Sequence, residues 1–202
     1  MTAKRAFDVA FAAAGLILSS PLWAVTAVAV KVQDGGPVFY GQSRAGLNGR
    51  EFHAWKFRSM RPDAERDVGP QQAVENDPRV TSFGRLLRAT AMDELPQLWN
   101  ILVGDMSVVG PRALRPGEIE VRGTGAVVPA EAVEGFAERS SVRPGLTGIA
   151  QLYAPRDVSR RAKFRYDRLY VRRRSLCLDL RLVALSFWIT LRGTWEHRGR
   201  KF

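Results

Sequence analysis

Two adjacent carboxylates, Asp93 and Glu94, stand in the run Arg88-Ala-Thr-Ala-Met-Asp-Glu-Leu-Pro-Gln-Leu-Trp-Asn100, with Arg85 just upstream and Gly110-Pro111-Arg112 just downstream. Paired acids flanked by guanidinium groups suit a phosphorylated substrate. Leu95, Leu98, Trp99 and Leu102 recur at the spacing of one apolar helix face, and Gly104 falls where a C-cap is expected. The pattern predicts a helix with Asp93 as its N-cap and Pro96 in its first turn. A phosphoryl group brought there would meet unpaired N–H groups and the positive end of the helix dipole. Neighbouring residues on a regular helix do not share a face, so Asp93 and Glu94 converge on one ligand only where the backbone is still turning. The same run also reads as a plain cap followed by a dipole-compensating surface acid.

The elements around this pair begin with an apolar stretch. Val9 to Val30 carries no charge and is bracketed by Lys4, Arg5 and Asp8 on one side and Lys31 on the other. As a continuous helix it would be about 33 Å long, close to the bilayer thickness. Ser20-Pro21 stands near its centre, where proline removes a backbone donor and Ser20 can satisfy a freed carbonyl. Two arms of about 11 and 9 residues would each reach about half of the hydrocarbon core. A cleaved signal peptide and a kinked spanning helix compete with a re-entrant hairpin. The hairpin keeps Lys4, Arg5 and the basic remainder on the cytoplasmic face, as positive-inside bias prefers, and is the reading favoured.

The 202 residues suffice for one sizeable core, and the single cysteine, Cys177, rules out an internal disulfide. Its place between Leu176 and Leu178 predicts a buried structural thiol. With only His53 and His197, a serine triad or a histidine-built zinc site is disfavoured. The net charge of +11 is concentrated from Arg156 onward, where 14 Lys/Arg face 4 Asp/Glu. Such an arm could meet nucleic acid or anionic lipid, or be a solvated face.

Val38-Phe39-Tyr40 and Glu51 to Arg58 read as two strands of a hairpin, and residues 62–78 as loop or short helix. A helix starts over Thr81 to Leu87. Pro129 to Arg139 suggests an exposed helix, Val142 to Gly148 a turn-dense loop, and Ser159 to Val171 and Leu176 to Leu191 two further helices. Leu182, Leu185, Phe187, Trp188 and Ile189 suit either the headgroup boundary or the protein core.

These pieces match a known family in order along nearly the whole chain. They are Lys4-Arg5-x-x-Asp8; Gly36 to Tyr40 with Gln42, Arg44 and Gly46; Lys56 to Met60; Asp77 to Thr81 with Gly84; Asp93 to Gln97 with Asn100; Gly104 to Ser107; Val109 to Arg112; Arg143 to Gly148 with Gln151; and Asp167-x-x-Tyr170 followed by Ser175 and Asp179. The sequence resembles the bacterial sugar transferases, the monotopic polyprenyl-phosphate phosphoglycosyl transferases. It departs from the common pattern at Thr90-Ala-Met and at Ala113, where proline is usual.

The resemblance implies transfer of a sugar 1-phosphate from a UDP-sugar donor to a polyprenyl (undecaprenyl) phosphate acceptor. Asp93 would be the nucleophile that carries a covalent phosphosugar, with Glu94 sharing or positioning Mg²⁺. An aspartate of ordinary pKa, about 4, is already ionised near neutrality and needs no separate base. Lys56, Arg58, Arg79, Arg88, Arg112, Arg143 and Gln151 are candidates for phosphate or substrate contacts. Lys4, Arg5 and Asp8 would set the membrane hairpin at the interface, and Ser20 with Pro21 would make its bend. The expected fold is α+β and mostly helical, with a small β-hairpin and interfacial amphipathic helices. Residues 1–32 would form the re-entrant anchor and 33–202 one integrated catalytic domain on the cytoplasmic face of the inner membrane, as the compact catalytic form of the family. Membrane phospholipid is an expected partner and nucleic acid is not; the oligomeric state stays open, with a homodimer among the options. A membrane-anchored binding module and a phosphohydrolase that passes an aspartyl phosphate to water are the rival readings. The sequence does not name the sugar.

Overall fold

Ala3–Asp34 forms a single helix, α1, in the computed structural model, which describes residues 2–64, 66, 77–121, 127–155, 158–192 and 195. Most of the polar stretch at 62–78 and the end of the basic C-terminal arm lie outside these residues. Thr2 caps α1 by accepting from the Arg5 amide, and Gly35 ends it in the left-handed conformation at φ 71°. The helix continues through Pro21 instead of separating into the two expected arms. The reason is local: Ser20 Oγ donates to the Ile17 carbonyl at 2.8 Å, taking the place of the N–H that Pro21 lacks. At 32 residues α1 is about 48 Å long, and it is apolar enough to cross a bilayer.

Both ends of α1 are fastened to the globular part. Near its start, Arg5 donates to the Ile101 and Leu102 carbonyls at 2.6 and 2.8 Å. Asp8, fully buried, accepts from the Val108 amide and Ser107 Oγ, each at 3.0 Å, and from Lys4 at 2.9 Å. Lys4 also reaches Asp179 at 2.9 Å. At the other end Val30 is buried with Phe57 and Leu87, Trp23 meets the Phe57 ring edge-on at 5.3 Å, and Asp34 pairs with Arg58.

The expected hairpin is present as β1 (Phe39–Ala45) and β2 (Glu51–Phe57), antiparallel from Phe39↔Phe57 to Ala45↔Glu51. Phe52 and Ala54 point inward while His53 and Trp55 stay exposed, as the alternation predicts, and Phe57, on the second face, is buried separately against Val30 and Leu87. The free edge of β2 is sealed by a side chain, since Asn100 Oδ1 accepts from the Trp55 amide at 3.0 Å and its Nδ2 donates to the His53 carbonyl at 2.8 Å.

Thr81 caps α2 (Ser82–Ala89), and α3 (Gln97–Val103) ends at Gly104, φ 102°. The buried stripe of α3 is Leu98 and Ile101, with Leu95 and Leu102 partly covered; Trp99 is exposed. Beyond α3, β3 (Ser107–Val109) pairs in parallel with a later strand, and β4 (Ile119–Val121) pairs with β5 (Val127–Pro129). The helix expected over Pro129 to Arg139 is divided, because Gly135 at φ 94° separates a 3₁₀ turn from the short α4 (Phe136–Ser140). The turn-dense loop contains β6 (Gly145–Thr147), the partner of β3.

Then follow α5 (Ile149–Tyr153), α6 (Arg160–Arg173), capped by Ser159, and α7 (Leu176–Arg192). Leu182 and Ile189 of α7 enter the core that Ala12, Leu98, Ile101, Met106, Val108 and Val109 share, whereas Leu180, Phe187, Trp188 and Leu191 stay exposed. Cys177 is exposed, not buried as expected: its flanking leucines do not decide which way it faces on the helix.

Candidate active site

The carboxylate pair occupies the connection between α2 and α3. Ala91 adopts φ 54°, an uncommon left-handed conformation for a residue with a Cβ, and turns the chain into a 3₁₀ segment, Met92–Glu94. The α-helix itself begins only after Pro96, whose ring nitrogen has no hydrogen to give. Asp93 is therefore not the N-cap of α3 but lies in the turn that leads to it. This is the still-turning backbone that lets adjacent acids face one space.

Asp93 is buried and Glu94 half-buried. Lys56, projecting from β2, forms an ion pair with Glu94 Oε1, and Arg112 Nη2 lies 3.6 Å from the same oxygen. Burial pushes the Asp93 carboxyl up to about 6; Glu94 adds to that rise, while Lys56, Arg88 and Arg112 oppose it. Glu94 moves the other way. Burial would raise it, but Lys56, Arg112 and Arg44 outweigh burial and hold it well below the usual range. The pair thus consists of a firmly ionised acid tied to lysine and a buried acid that titrates just below neutrality.

Of the other residues singled out from the sequence, Lys56, Arg88 and Arg112 surround this pair. Four lie elsewhere. Arg58 is buried against the end of α1, where its guanidinium meets Asp34 and packs on Gly36 so closely that a Cβ there would collide with it. Arg79 is bound to Asp77 through Nε and Nη2, at 2.9 and 2.6 Å. Arg143 Nε donates to the Gly104 carbonyl at 2.7 Å, at the far end of α3 from the carboxylates. Gln151 sits on α5 with Nε2 3.4 Å from the Gly145 carbonyl. Lys4, Arg5, Asp8, Ser20 and Pro21 lie on α1 in the contacts described above.

Arg44 belongs with the site although the sequence reading gave it no role. It donates to the Ala113 carbonyl at 2.9 Å and to Gln42, and its field reaches Glu94. Burial, with Arg112 and Arg115 nearby, lowers its guanidinium to about 10. The signal was the Gln42-x-Arg44 spacing on one face of a strand beside Lys56. Arg139 also escaped notice. It is a buried arginine on α4 bonded to buried Asp167 of α6 and to the Arg112 carbonyl.

Such a cluster can present one anionic oxygen nucleophile to a phosphorus centre while several cations offset the charge of a diphosphate. The family model described as "Bacterial sugar transferase" matches residues 1–193. The chain is 43% identical to "Exopolysaccharide production protein ExoY" of Rhizobium meliloti (strain 1021), covering 90% of this chain and 82% of that protein. It is 39% identical to the "UDP-glucose:undecaprenyl-phosphate glucose-1-phosphate transferase" of Xanthomonas campestris pv. campestris, over 92% of this chain but only 38% of that longer protein. It is 36% identical to the "UDP-N-acetylgalactosamine-undecaprenyl-phosphate N-acetylgalactosaminephosphotransferase" of Aeromonas hydrophila, over 94% of this chain and 44% of that one. From its first residues to the end of α7, this chain belongs to the bacterial sugar transferase family.

Proposed function

We propose that this chain transfers a sugar 1-phosphate from a UDP-sugar to undecaprenyl or a similar polyprenyl phosphate, through a covalent phosphosugar on Asp93. The observation that carries this reading is the buried Asp93 beside a cation-paired Glu94, ringed by Lys56, Arg88 and Arg112. With its carboxyl at about 6, Asp93 is ionised about ten to one at pH 7, so it can attack without a base. An Asp93 oxygen bonds to the sugar-bearing phosphorus, the bond from that phosphorus to the bridging oxygen breaks, and UMP leaves with the electron pair. An oxygen of the lipid phosphate then attacks the same phosphorus and frees the carboxylate, giving polyprenyl diphosphate sugar.

Asp93 and Glu94 form an all-oxygen donor set of the kind Mg²⁺ uses together with substrate phosphates and water. When bound, Mg²⁺ would draw charge from the diphosphate oxygens. Lys56 keeps Glu94 ionised and in place, and Arg88 and Arg112 favour the charged form of Asp93 and receive phosphate oxygens.

The lipid acceptor requires a membrane-facing site. α1 is fastened at Arg5 and Asp8 and again at Trp23, Val30 and Asp34 to one globular body, which supports both ends lying on the same face of the membrane. Its exposed Ile17, Leu18, Val25 and Val28 would then enter one leaflet. Phe187 of α7 lies 6.3 Å from Phe11, so the exposed face of α7 continues that apolar surface. The cytoplasmic face of the inner membrane is the side where UDP-sugars are available. Accessibility labelling of cysteines placed at residues 2 and 33 should find both on one face, and labelling from opposite faces would overturn this topology.

The activity is tested by UMP release from a panel of UDP-sugars with Mg²⁺, with and without undecaprenyl phosphate, for the native protein and Asp93→Asn. Lipid-dependent release that the variant lacks supports the transferase and names its sugar. Release without lipid favours a hydrolase, and retained activity in Asp93→Asn would remove the proposed nucleophile.

A further inference from the structure

The segment that presents Arg112 is held by its backbone at every step. The Gly110 amide donates to the Thr147 carbonyl at 2.9 Å, and the Pro111 carbonyl accepts from the Gly145 amide at 2.9 Å. The Arg112 carbonyl accepts from Arg139, the Ala113 carbonyl accepts from Arg44 at 2.9 Å, and the Leu114 carbonyl accepts from the Ala45 amide at 2.8 Å. Four consecutive carbonyls are therefore occupied, two of them by arginine side chains. The Arg112 side chain is by contrast 53% exposed, with Glu94 at 3.6 Å.

Arg139 is itself immobilised. Its Nε donates to Asp167 Oδ2 at 2.8 Å, its guanidinium carbon lies over the Phe164 ring 4.8 Å from the centroid, and both members of the ion pair are buried. A buried pair is costly unless its remaining hydrogens are satisfied. Here one of those hydrogens is spent on the residue whose side chain faces the carboxylates.

We infer that the buried Arg139–Asp167 pair is a positioning device for substrate phosphate: it fixes the backbone of Arg112 so that this guanidinium enters the site from a set point. The inference rests on the transferase reading and gives it an element remote from the reacting atoms. Arg139 touches no substrate and acts through Arg112. The planar fork of arginine spans Asp167 and the carbonyl together from over the Phe164 ring, which the compact ammonium of lysine does not reproduce.

The test is a double-mutant cycle on kcat/KM for lipid-dependent UMP release, using the full chain in detergent: native, Arg139→Lys, Arg112→Ala and the double variant. Arg139→Lys keeps the charge that Asp167 needs and should lower kcat/KM about tenfold in the native background but less than about twofold when Arg112 is already alanine. Asp167→Asn, which keeps an acceptor for Nε, should show the same dependence on Arg112 and serves if Arg139→Lys fails to fold. Equal losses in both backgrounds would make the pair ordinary tertiary glue and overturn the inference, as would an Arg112→Ala variant of native activity. Amide exchange gives a readout independent of turnover. Protection over residues 108–115 should fall about fivefold or more in Arg139→Lys with α3 unchanged, and unaltered exchange there overturns the inference. Failure of the native protein to release UMP from any donor would instead overturn the transferase reading, and the exchange result would still decide whether Arg139 holds the segment.

Discussion

Replacing Asp93 by asparagine should make the protein more stable, and the gain should appear only as the pH rises. Burial raises the Asp93 carboxyl from 3.8 to about 6, so between those values the folded protein binds a proton that the unfolded chain has released. Stability then falls as pH increases through that window, because the native state holds more protons than the unfolded state. Two units at about 1.4 kcal/mol each give a cost of about 3 kcal/mol, fully present above about pH 7 and absent near pH 4. Glu94 does not blur the comparison at neutral pH. Its folded carboxyl is held low, so its contribution is lost only as pH falls below the ordinary glutamate range. Asparagine has the shape of protonated aspartate, so the two proteins should unfold alike at pH 4. At pH 7.5 the variant should melt higher by about 6 to 12 °C, at about 2 to 4 °C per kcal/mol for a chain of this size. Thermal unfolding followed by intrinsic tryptophan fluorescence, in Mg²⁺-free detergent across pH 4 to 8, measures this difference. A gap that is constant with pH, or a variant less stable at pH 7.5, would refute the claim that Asp93 is held as a strained, desolvated anion.

Three other perturbations probe the neighbouring contacts. Lys56→Met removes the strongest influence holding Asp93 down, so the acid limb of the kcat/KM pH profile should move up by about one unit; an unmoved limb would separate Lys56 from Asp93. Asn100→Ala exposes the Trp55 amide and His53 carbonyl at the β2 edge and should cost about 2 to 4 kcal/mol in denaturant unfolding. Asp8→Ala leaves Lys4 facing Asp179 alone and strips acceptors from Ser107 and Val108. It should lower stability by about 3 to 5 kcal/mol, seen as a fall in melting temperature, and a change under 1 kcal/mol would mean that the joint between α1 and β3 is not tight.

The features that could be read from the sequence are those whose physics is local. Phe52 and Ala54 facing in against His53 and Trp55, the helix start at Thr81 and the Gly104 stop each depend on neighbours within a few residues and took the expected form, whereas Trp99, expected on the apolar face of α3, is exposed and Ile101 is buried. Asp93 was expected at a helix cap because no local rule announces that Ala91 will adopt a left-handed turn between α2 and the 3₁₀ segment that packs on β2. β3 and β6 are three residues each and exist only through one another, nearly 40 positions apart, so neither carries a pattern of its own. The continuity of α1 through Pro21 turned on a single hydroxyl, which the sequence offered but did not assign. At the site, charge clustering around the acids was visible in composition and order. The distinction between Arg112, which faces Glu94, and Arg58, Arg79 and Arg143, which bind elsewhere, needed coordinates, because every arginine offers the same fork.

Two arginines link the apolar helix α1 and the loop before β6 to the candidate site. Arg5 from α1 and Arg143 from the loop before β6 both bind the carbonyl end of α3, at Ile101, Leu102 and Gly104, while the turn bearing Asp93 and Glu94 leads into its other end. Cations at a helix C-terminus satisfy the last carbonyls and oppose the dipole, so these contacts hold as well as locate the helix. α3 is only seven residues, about 10 Å, a length over which a helix is stiff. Asn100 of the same helix binds the Trp55 amide and the His53 carbonyl of β2, so α1, α3 and the strand that carries Lys56 are tied into one frame around the carboxylate turn. Within that frame the Lys56–Glu94 pair spans from the hairpin to the turn. The contacts that fix the carboxylate turn thus run through the apolar helix α1, as the proposed transfer to a lipid phosphate at a membrane surface requires.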